Sequence, residues 1–333
     1  MEAWKMLSRN RKVYESPDIV ALFMRLQDLQ KPEETILGLL ESSLRDGRVL
    51  DIGVGAGRTT PALSASAREY VGIDYSAEMI AACRDRFRDG SRRLSFLVCD
   101  VRDMRCFADR AFDVVLFSFN GLDTLSHEDR LRALSEIRRV CRLDGYFAFS
   151  THNLQTGRNL FRFLPICQPQ RLPHQILLNC RRRALNLTFR QQLKNMHAVF
   201  CDGVHEFRVQ LYYIQPRYQI EQLQEAGFTD VRVFSLDGYE VKSGAELDQN
   251  RDQWLYFMCR PMMEWNSRSA TAHGSLRRAT PVYYVLTDSY PRDIISYFKQ
   301  FIKILRNKKH SQNSRRKRDT NRTAGWVDPR KTR

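Results

Sequence analysis

No run of about 18 apolar residues occurs in this 333-residue chain, so no membrane-spanning helix is expected. The opening residues Met-Glu-Ala-Trp-Lys lack the apolar stretch of a secretory signal. There is no C-x-x-C pair. The eight cysteines (83, 99, 106, 141, 167, 180, 201 and 259) are scattered, which argues against a disulfide framework or a structural zinc site. Reduced thiols in a cytoplasmic protein are the simplest expectation, with Cys99 and Cys141 set among apolar neighbours. Acidic residues are the minority, 38 against 54 Lys and Arg, for a net charge of +16. That excess is uneven: from Lys303 onward twelve Lys and Arg face only Asp319 and Asp328. The basicity is therefore mostly a property of the tail and says little about the body. With 43% hydrophobic and 28% charged residues, the body has the composition of a globular protein with one large core or two modest ones.

The most informative stretch is Arg48-Val-Leu-Asp-Ile-Gly-Val-Gly-Ala-Gly-Arg58. Val49, Leu50 and Ile52 read as a buried strand, cut off by Gly53, Gly55 and Gly57. Leu63 and the small residues after Thr59 suit a helix packed back on it. A strand that breaks into glycines and re-enters a helix leaves free backbone N–H groups and lets a ligand lie on the backbone. The dinucleotide fingerprint G-x-G-x-x-G is missing, since the spacing here is G-x-G-x-G with Arg at 58. Asp51 lies two residues before the first glycine. Its carboxylate would repel a pyrophosphate and attract a cation, which disfavours a nicotinamide cofactor.

Strands and helices then alternate from 48 to 151. Glu69-Tyr-Val-Gly-Ile-Asp74 is a second strand ending in an acid, and Ser76 caps the helix after it. Leu94-Ser-Phe-Leu-Val-Cys-Asp100 is a third, followed by Val101. Phe112-Asp-Val-Val-Leu-Phe-Ser118 is a fourth, running into Phe119-Asn120-Gly121. Ser126-His-Glu-Asp129 opens a helix, and Tyr146 to Thr151 form the fifth strand. Such alternation predicts an α/β fold with a doubly wound parallel sheet whose ligand lies beyond the carboxyl ends of the strands. Before it, Ser16-Pro17-Asp18 and Pro32-Glu33-Glu34 predict two helices, over 17–29 and 32–44.

These motifs resemble those of class I S-adenosylmethionine (SAM)-dependent methyltransferases, over roughly residues 10–260. The resemblance implies a Rossmann-like, mostly parallel seven-stranded sheet, with Phe228–Phe234 and Trp254–Met258 as a closing hairpin whose last strand is antiparallel. It also implies SAM as cofactor. Asp51, Gly53, Gly55 and Gly57 would hold its methionine part, Asp74 with Tyr75 the ribose, and Asp100 with Val101 the adenine. Ser118 would lie beside the methyl, and Tyr14 would close over the cofactor. Asn120, His152 after the fifth strand and His205 are the candidates for acceptor contact or a general base. No metal ligands are expected. The fourth-strand loop lacks both the Asn/Asp-Pro-Pro-aromatic signature of nucleic-acid amine methylation and a Pro-Cys nucleophile. It instead looks like that of the broad small-molecule group, so the expected acceptor is a small molecule or glycan, methylated at oxygen or nitrogen.

The domain reading is cap helices over 1–47 and a SAM-binding domain over 48–262, with an inserted lid or substrate region at 152–205. A linker with a possible strand and an amphipathic helix follows over 263–305, then a disordered basic tail over 306–333. Within or after the insert, Phe207, Val209, Leu211 and Tyr213 alternate with polar residues, the pattern of a half-buried strand. Two further readings compete. One is an RNA methyltransferase using Arg181–Arg183 and Arg315–Arg318. The other is a peripheral protein using 293–318 as a basic amphipathic anchor on a membrane surface. Neither is favoured over the small-molecule reading.

Overall fold

The structure is a computed structural model and describes residues 2–88, 93–161 and 172–263. The expected strand, amphipathic helix and basic tail beyond 263 lie outside the described residues. Four helices lead the chain: α1 Glu2–Tyr14, α2 Pro17–Arg25, α3 Lys31–Leu39 and α4 Glu41–Leu44. Then come β1 Arg48–Ile52, α5 Thr60–Ser64, β2 Glu69–Asp74, α6 Ala77–Arg86, β3 Leu94–Val98, β4 Phe112–Phe117, α7 His127–Val140 and β5 Cys141–Asn153. After β5 lie α8 Gly157–Leu160, α9 Leu172–Leu185, α10 Phe189–Gln192, β6 His197–Phe200 and β7 Leu211–Ile214. The chain closes with α11 Pro216–Glu225, β8 Phe228–Phe234, α12 Gly244–Gln249 and β9 Trp254–Pro261.

The parallel strands run β3-β2-β1-β4-β5 in space. The antiparallel β9 pairs with both β5 and β8, as the expected closing hairpin. Residues alternate between the two sheet faces. Leu50, Ile52, Val71, Ile73, Val115 and Phe117 enter one core with Leu134 and Ile137 of α7. Val49, Tyr70, Val114 and Leu116 enter the other with Ile36 of α3 and Ile80 of α6. Because both faces are covered, β1, β2 and β4 read as near-continuous apolar runs rather than alternating ones. Among the described residues, no helix is long and apolar enough to cross a membrane.

The insert departs from the expected strand. Val204–Phe207 is a 3-10 turn in which His205 (φ 48°) and Glu206 (φ 59°) are left-handed. Only Leu211–Ile214 is extended. Polar–apolar alternation cannot tell a short irregular turn from a strand when both bury every second residue. β6, which has no alternation signal of its own, pairs antiparallel with β7. β7 in turn continues the sheet from the end of β5, with His152 opposite Tyr213 and Asn153 opposite Ile214. The described sheet thus has nine strands: the seven of the expected sheet, β7 from the end of the expected half-buried stretch, and β6 from the insert.

The cap helices also differ in detail. Residues 2–14 are helical, α2 stops at Arg25 and not at 29, and the second expected helix breaks at Leu40. Asn10 on α1 is fully buried. Its Nδ2 donates to the carbonyls of Thr124 (3.0 Å) and Gln210 (2.8 Å), and its Oδ1 accepts from the Gln210 N–H (3.0 Å). Arg9 donates to the carbonyls of Phe207 and Arg208, both at 2.8 Å. One side chain therefore ties α1 both to the turn after β4 and to the insert. Removing it leaves the buried Thr124 carbonyl and the two partly buried backbone groups of Gln210 unpaired, at about 1–3 kcal/mol for a group that water cannot reach and less for the others. Asn10→Ala should lower stability by about 2–4 kcal/mol in denaturant unfolding, and a change below about 0.5 kcal/mol would mean that α1 is not held through Asn10.

Candidate active site

At the carboxyl ends of the parallel strands lies a cavity roofed by Leu7 and Tyr14 of α1 and Phe23 of α2. Its floor is the glycine turn, where Gly53 (φ 61°) and Gly55 (φ 55°) are left-handed. A Cβ on Gly53 would come within 2.7 Å of the Phe117 ring, so only glycine fits there without displacement. Gly53, Gly55, Tyr14, Asp74, Tyr75, Asp100, Val101, Ser118 and Asn120 all line this cavity.

Asp74 ends β2 with its carboxylate anchored. Oδ2 accepts from the Gly55 N–H (3.1 Å) and Oδ1 from the Ser76 N–H (2.9 Å). Burial raises its pKa to about 6, with the N–H groups of Ser76 and Gly55 opposing that rise. The glycine turn and the acid thus hold one another. Tyr75 beside it carries the Arg11 guanidinium 6.0 Å from its ring centre. Asp100 lies two residues past the end of β3 and is bridged by Arg102, with Nη2–Oδ2 2.6 Å and Nε–Oδ1 3.0 Å. Burial alone would raise the Asp100 carboxyl, but Arg102 brings it below the usual range. Arg102 also pairs with Asp129 at 3.0 Å.

Ser118 is more committed than expected. Its hydroxyl donates to Glu33 and lies 3.2 Å from the Tyr256 hydroxyl. Glu33 is buried on α3, takes both Arg58 Nη atoms at 2.6 Å and accepts from the Gln30 N–H at 2.7 Å. Burial would raise its pKa, yet the Arg58 guanidinium keeps it lowered. Arg58, the residue after the last glycine, lies 4.9 Å from the Phe119 ring centre. A capping-box glutamate in the sequence therefore also clamps the glycine loop to the end of β4.

Four expected positions, Asp51, Gly57, His205 and His152, are not part of the cavity wall. Asp51 shares the Val49 face of β1, where its Oδ2 accepts from Thr59 (2.5 Å) and Tyr70 (2.7 Å), and burial raises it to about 6. Strand alternation turns it under the glycine turn and away from the cavity. Gly57 packs under Phe87, which a Cβ would approach to 2.4 Å. His205 makes edge contact with Tyr14 at 5.5 Å and lies 6.3 Å from Phe23, so it backs the roof. Burial lowers its pKa, and Arg208 adds to that.

His152 lies one step back from the cavity. Its Nδ1 is 2.7 Å from Asp123 Oδ2, and its Nε2 is 3.4 Å from the side-chain nitrogen of Asn120. It is thus Asn120 that faces the cavity, with His152 behind it and the Tyr213 ring against the imidazole at 4.6 Å. Asn120 is itself left-handed (φ 58°) and donates its backbone N–H to Ser150 Oγ at 2.7 Å. Sequence reading missed Asp123, Glu33, Phe23 and Phe119 at this site. Phe23 and Glu33 sat in recognised helices without any sign of which face met the cavity, and Asp123 carried no motif at all.

The family model described as a methyltransferase domain matches residues 49–145. The chain is 36% identical over 110 residues to a phosphatidylethanolamine N-methyltransferase of Cereibacter sphaeroides, covering 32% of this chain and 52% of that one. It is 37% identical over 98 residues to a demethylmenaquinone methyltransferase of Clavibacter sepedonicus, covering 29% and 38%. A Burkholderia thailandensis 1,6-didemethyltoxoflavin-N1-methyltransferase, solved with S-adenosylhomocysteine, superposes with a TM-score of 0.48 at 15% identity, over 78% of this chain and 89% of that one. The chain spans about half the length of the first curated relatives it matches, 46% and 52%. Residues 49–145, the stretch that carries the glycine and acid motifs, thus match a methyltransferase domain.

Proposed function

We propose that the whole chain is a SAM-dependent methyltransferase acting on an oxygen or nitrogen atom of a small-molecule or glycan acceptor. The observation that carries this reading is the buried Asp74 carboxylate, held by the Gly55 and Ser76 N–H groups at the edge of the glycine-floored cavity. A carboxylate so placed suits paired ribose hydroxyls. Gly53 and Gly55 would carry the methionine part, Asp100 and Val101 the adenine, with Tyr14 and Tyr75 closing the sides. When bound, SAM supplies a methyl already made electrophilic by its sulfonium. The protein's own contribution is to hold the acceptor in line, keep water out beneath α1 and α2, and orient polar groups after β4.

The RNA reading draws little support from the Arg181–Arg183 cluster. Arg182 donates to the carbonyls of Asp202 (2.6 Å) and Leu160 (2.8 Å), and Arg183 to that of Phe161 (2.8 Å). Arg181 lies 5.0 Å from the Phe207 ring centre. The basic tail and amphipathic segment on which the RNA and membrane readings otherwise depend lie outside the described residues.

Calorimetric titration should detect SAM binding to the wild type, weakened by about 1–3 kcal/mol in Asp74→Ala, the scale of hydrogen bonds to a charged group. Binding of NADH in place of SAM would sink the proposal. The same titration should depend on pH. Asp74 accepts from a pair of hydroxyls with both oxygens, and with charge, only as a carboxylate, and burial raises its pKa to about 6. Affinity should therefore hold above pH 6 and fall about tenfold per unit below it, a dependence that Asp74→Asn removes. For stability of the free protein the sign is opposite: a raised folded pKa stabilises below the unfolded value, and that contribution is lost as pH rises through about 6.

A further inference from the structure

Asn120 presents an unusual balance of hydrogen bonds. Its Nδ2 lies toward His152 Nε2, whereas its Oδ1 is buried and has no partner among the described residues. An unpaired buried acceptor in a cavity-lining side chain is costly unless a ligand supplies the donor. Which amide atom faces the histidine depends on where the imidazole carries its proton, and that is decided one residue further back. Asp123 Oδ1 accepts from Arg130 Nη1 (2.7 Å) and Thr151 Oγ1 (2.6 Å), and Oδ2 accepts from the His152 backbone N–H (2.7 Å). With three donors already directed at it, Asp123 is a carboxylate and can only accept from Nδ1. A neutral His152 must then carry its proton on Nδ1 and offer a lone pair at Nε2. That lone pair takes the amide N–H of Asn120 and leaves the amide oxygen as the atom not used by the fold.

We propose that Asp123 and Arg130, acting through His152, are positioning residues that lock the Asn120 amide with its oxygen available to the acceptor, and that the acceptor atom is an uncharged amine nitrogen bearing at least one hydrogen. This rests on the methyltransferase reading and narrows its acceptor. An amide oxygen is too weak a base to take a proton, so it suits a nucleophile that reacts with its hydrogen still attached. A hydroxyl needs a base to become comparably nucleophilic, and a carboxylate has no hydrogen to give. In the transfer, the amine lone pair forms the new N–C bond as the C–S bond breaks, and its electron pair leaves with sulfur. The products are S-adenosylhomocysteine and an N-methylammonium, whose extra proton passes to water. The aromatic roof of Tyr14, Phe23 and Phe119 fits an acceptor with a flat apolar body.

Nitrogen-15 NMR on the full chain saturated with S-adenosylhomocysteine tests the lock. His152 is expected to carry a proton on Nδ1 and none on Nε2, and a protonated Nε2 would overturn it. In Asp123→Asn, Arg130 and Thr151 hold the new carbonyl oxygen on their side, which turns its NH2 toward Nδ1. His152 should then move to the Nε2–H form, as in an aspartate–histidine pair whose acid is amidated. Should that variant fail to fold, His152→Phe removes the lock by a different route. Aniline, an amine uncharged at pH 7–8, and phenol and benzoate serve as acceptor probes, followed through the Asn120 side-chain amide resonances. Aniline should shift these in the wild type, and up to about tenfold more weakly in the variants, with S-adenosylhomocysteine affinity unchanged. A stronger response to phenol, an equal response to benzoate, no response to aniline, or an unaltered response in both variants would defeat the proposal. Failure of the wild type to bind S-adenosylhomocysteine at all would instead defeat the methyltransferase reading, and the tautomer measurement would still stand.

Discussion

The β4–β5 side of the cavity depends on one buried carboxylate. Asp123 and Arg130 are both fully buried and paired at 2.7 Å. The remaining guanidinium bonds go to Thr151 on β5 and to Gln219 and Gln222 on α11. A buried ion pair adds little net stability against an apolar alternative, yet removing one partner costs about 3–5 kcal/mol. What it contributes here is direction. The turn after β4, the end of β5, α7 and α11 meet at fixed donors, and His152 inherits one orientation from them.

A second clamp works at the glycine loop. Glu33 joins α3 to the glycine loop through Arg58, to β4 through Ser118 and to β9 through Tyr256. The cap helices are thus wired to the sheet by charge as well as by packing. Asp18 on α2 reaches Arg208 in the insert at 2.5 Å, and Asn10 does the same for α1. Roof, insert and sheet therefore share their hydrogen bonds. A ligand entering beneath Tyr14 and Phe23 must either pass within these ties or loosen the more exposed ones, such as Asp18–Arg208, first.

The strand ends that form the cavity floor were legible because each rests on local chemistry. Gly53 and Gly55 mark a turn that only glycine tolerates, and Asp74 and Asp100 follow apolar runs where a chain must leave a sheet. Long-range partners were not legible in this way. Asp51 carried the strongest local argument for touching the cofactor, yet strand alternation faces it toward Thr59 and Tyr70. His152 was read as a base or acceptor contact just after the fifth strand. The insert's β7 and the Asp123 carboxylate enclose it instead.

Sequence alone determined the order of strands and helices from β1 to β5, the glycine turn and the resemblance to a methyltransferase domain, because periodicity, glycine conformation and helix capping act over a few residues. Tertiary structure alone decided which acids face the cavity, that Glu33 and Asp123 are its two clamps, and which amide atom of Asn120 remains for a ligand. Those outcomes depend on groups separated by 85 residues for Glu33 and Ser118 and by 29 for Asp123 and His152. No local rule relates such groups until the sheet brings them within hydrogen-bonding distance.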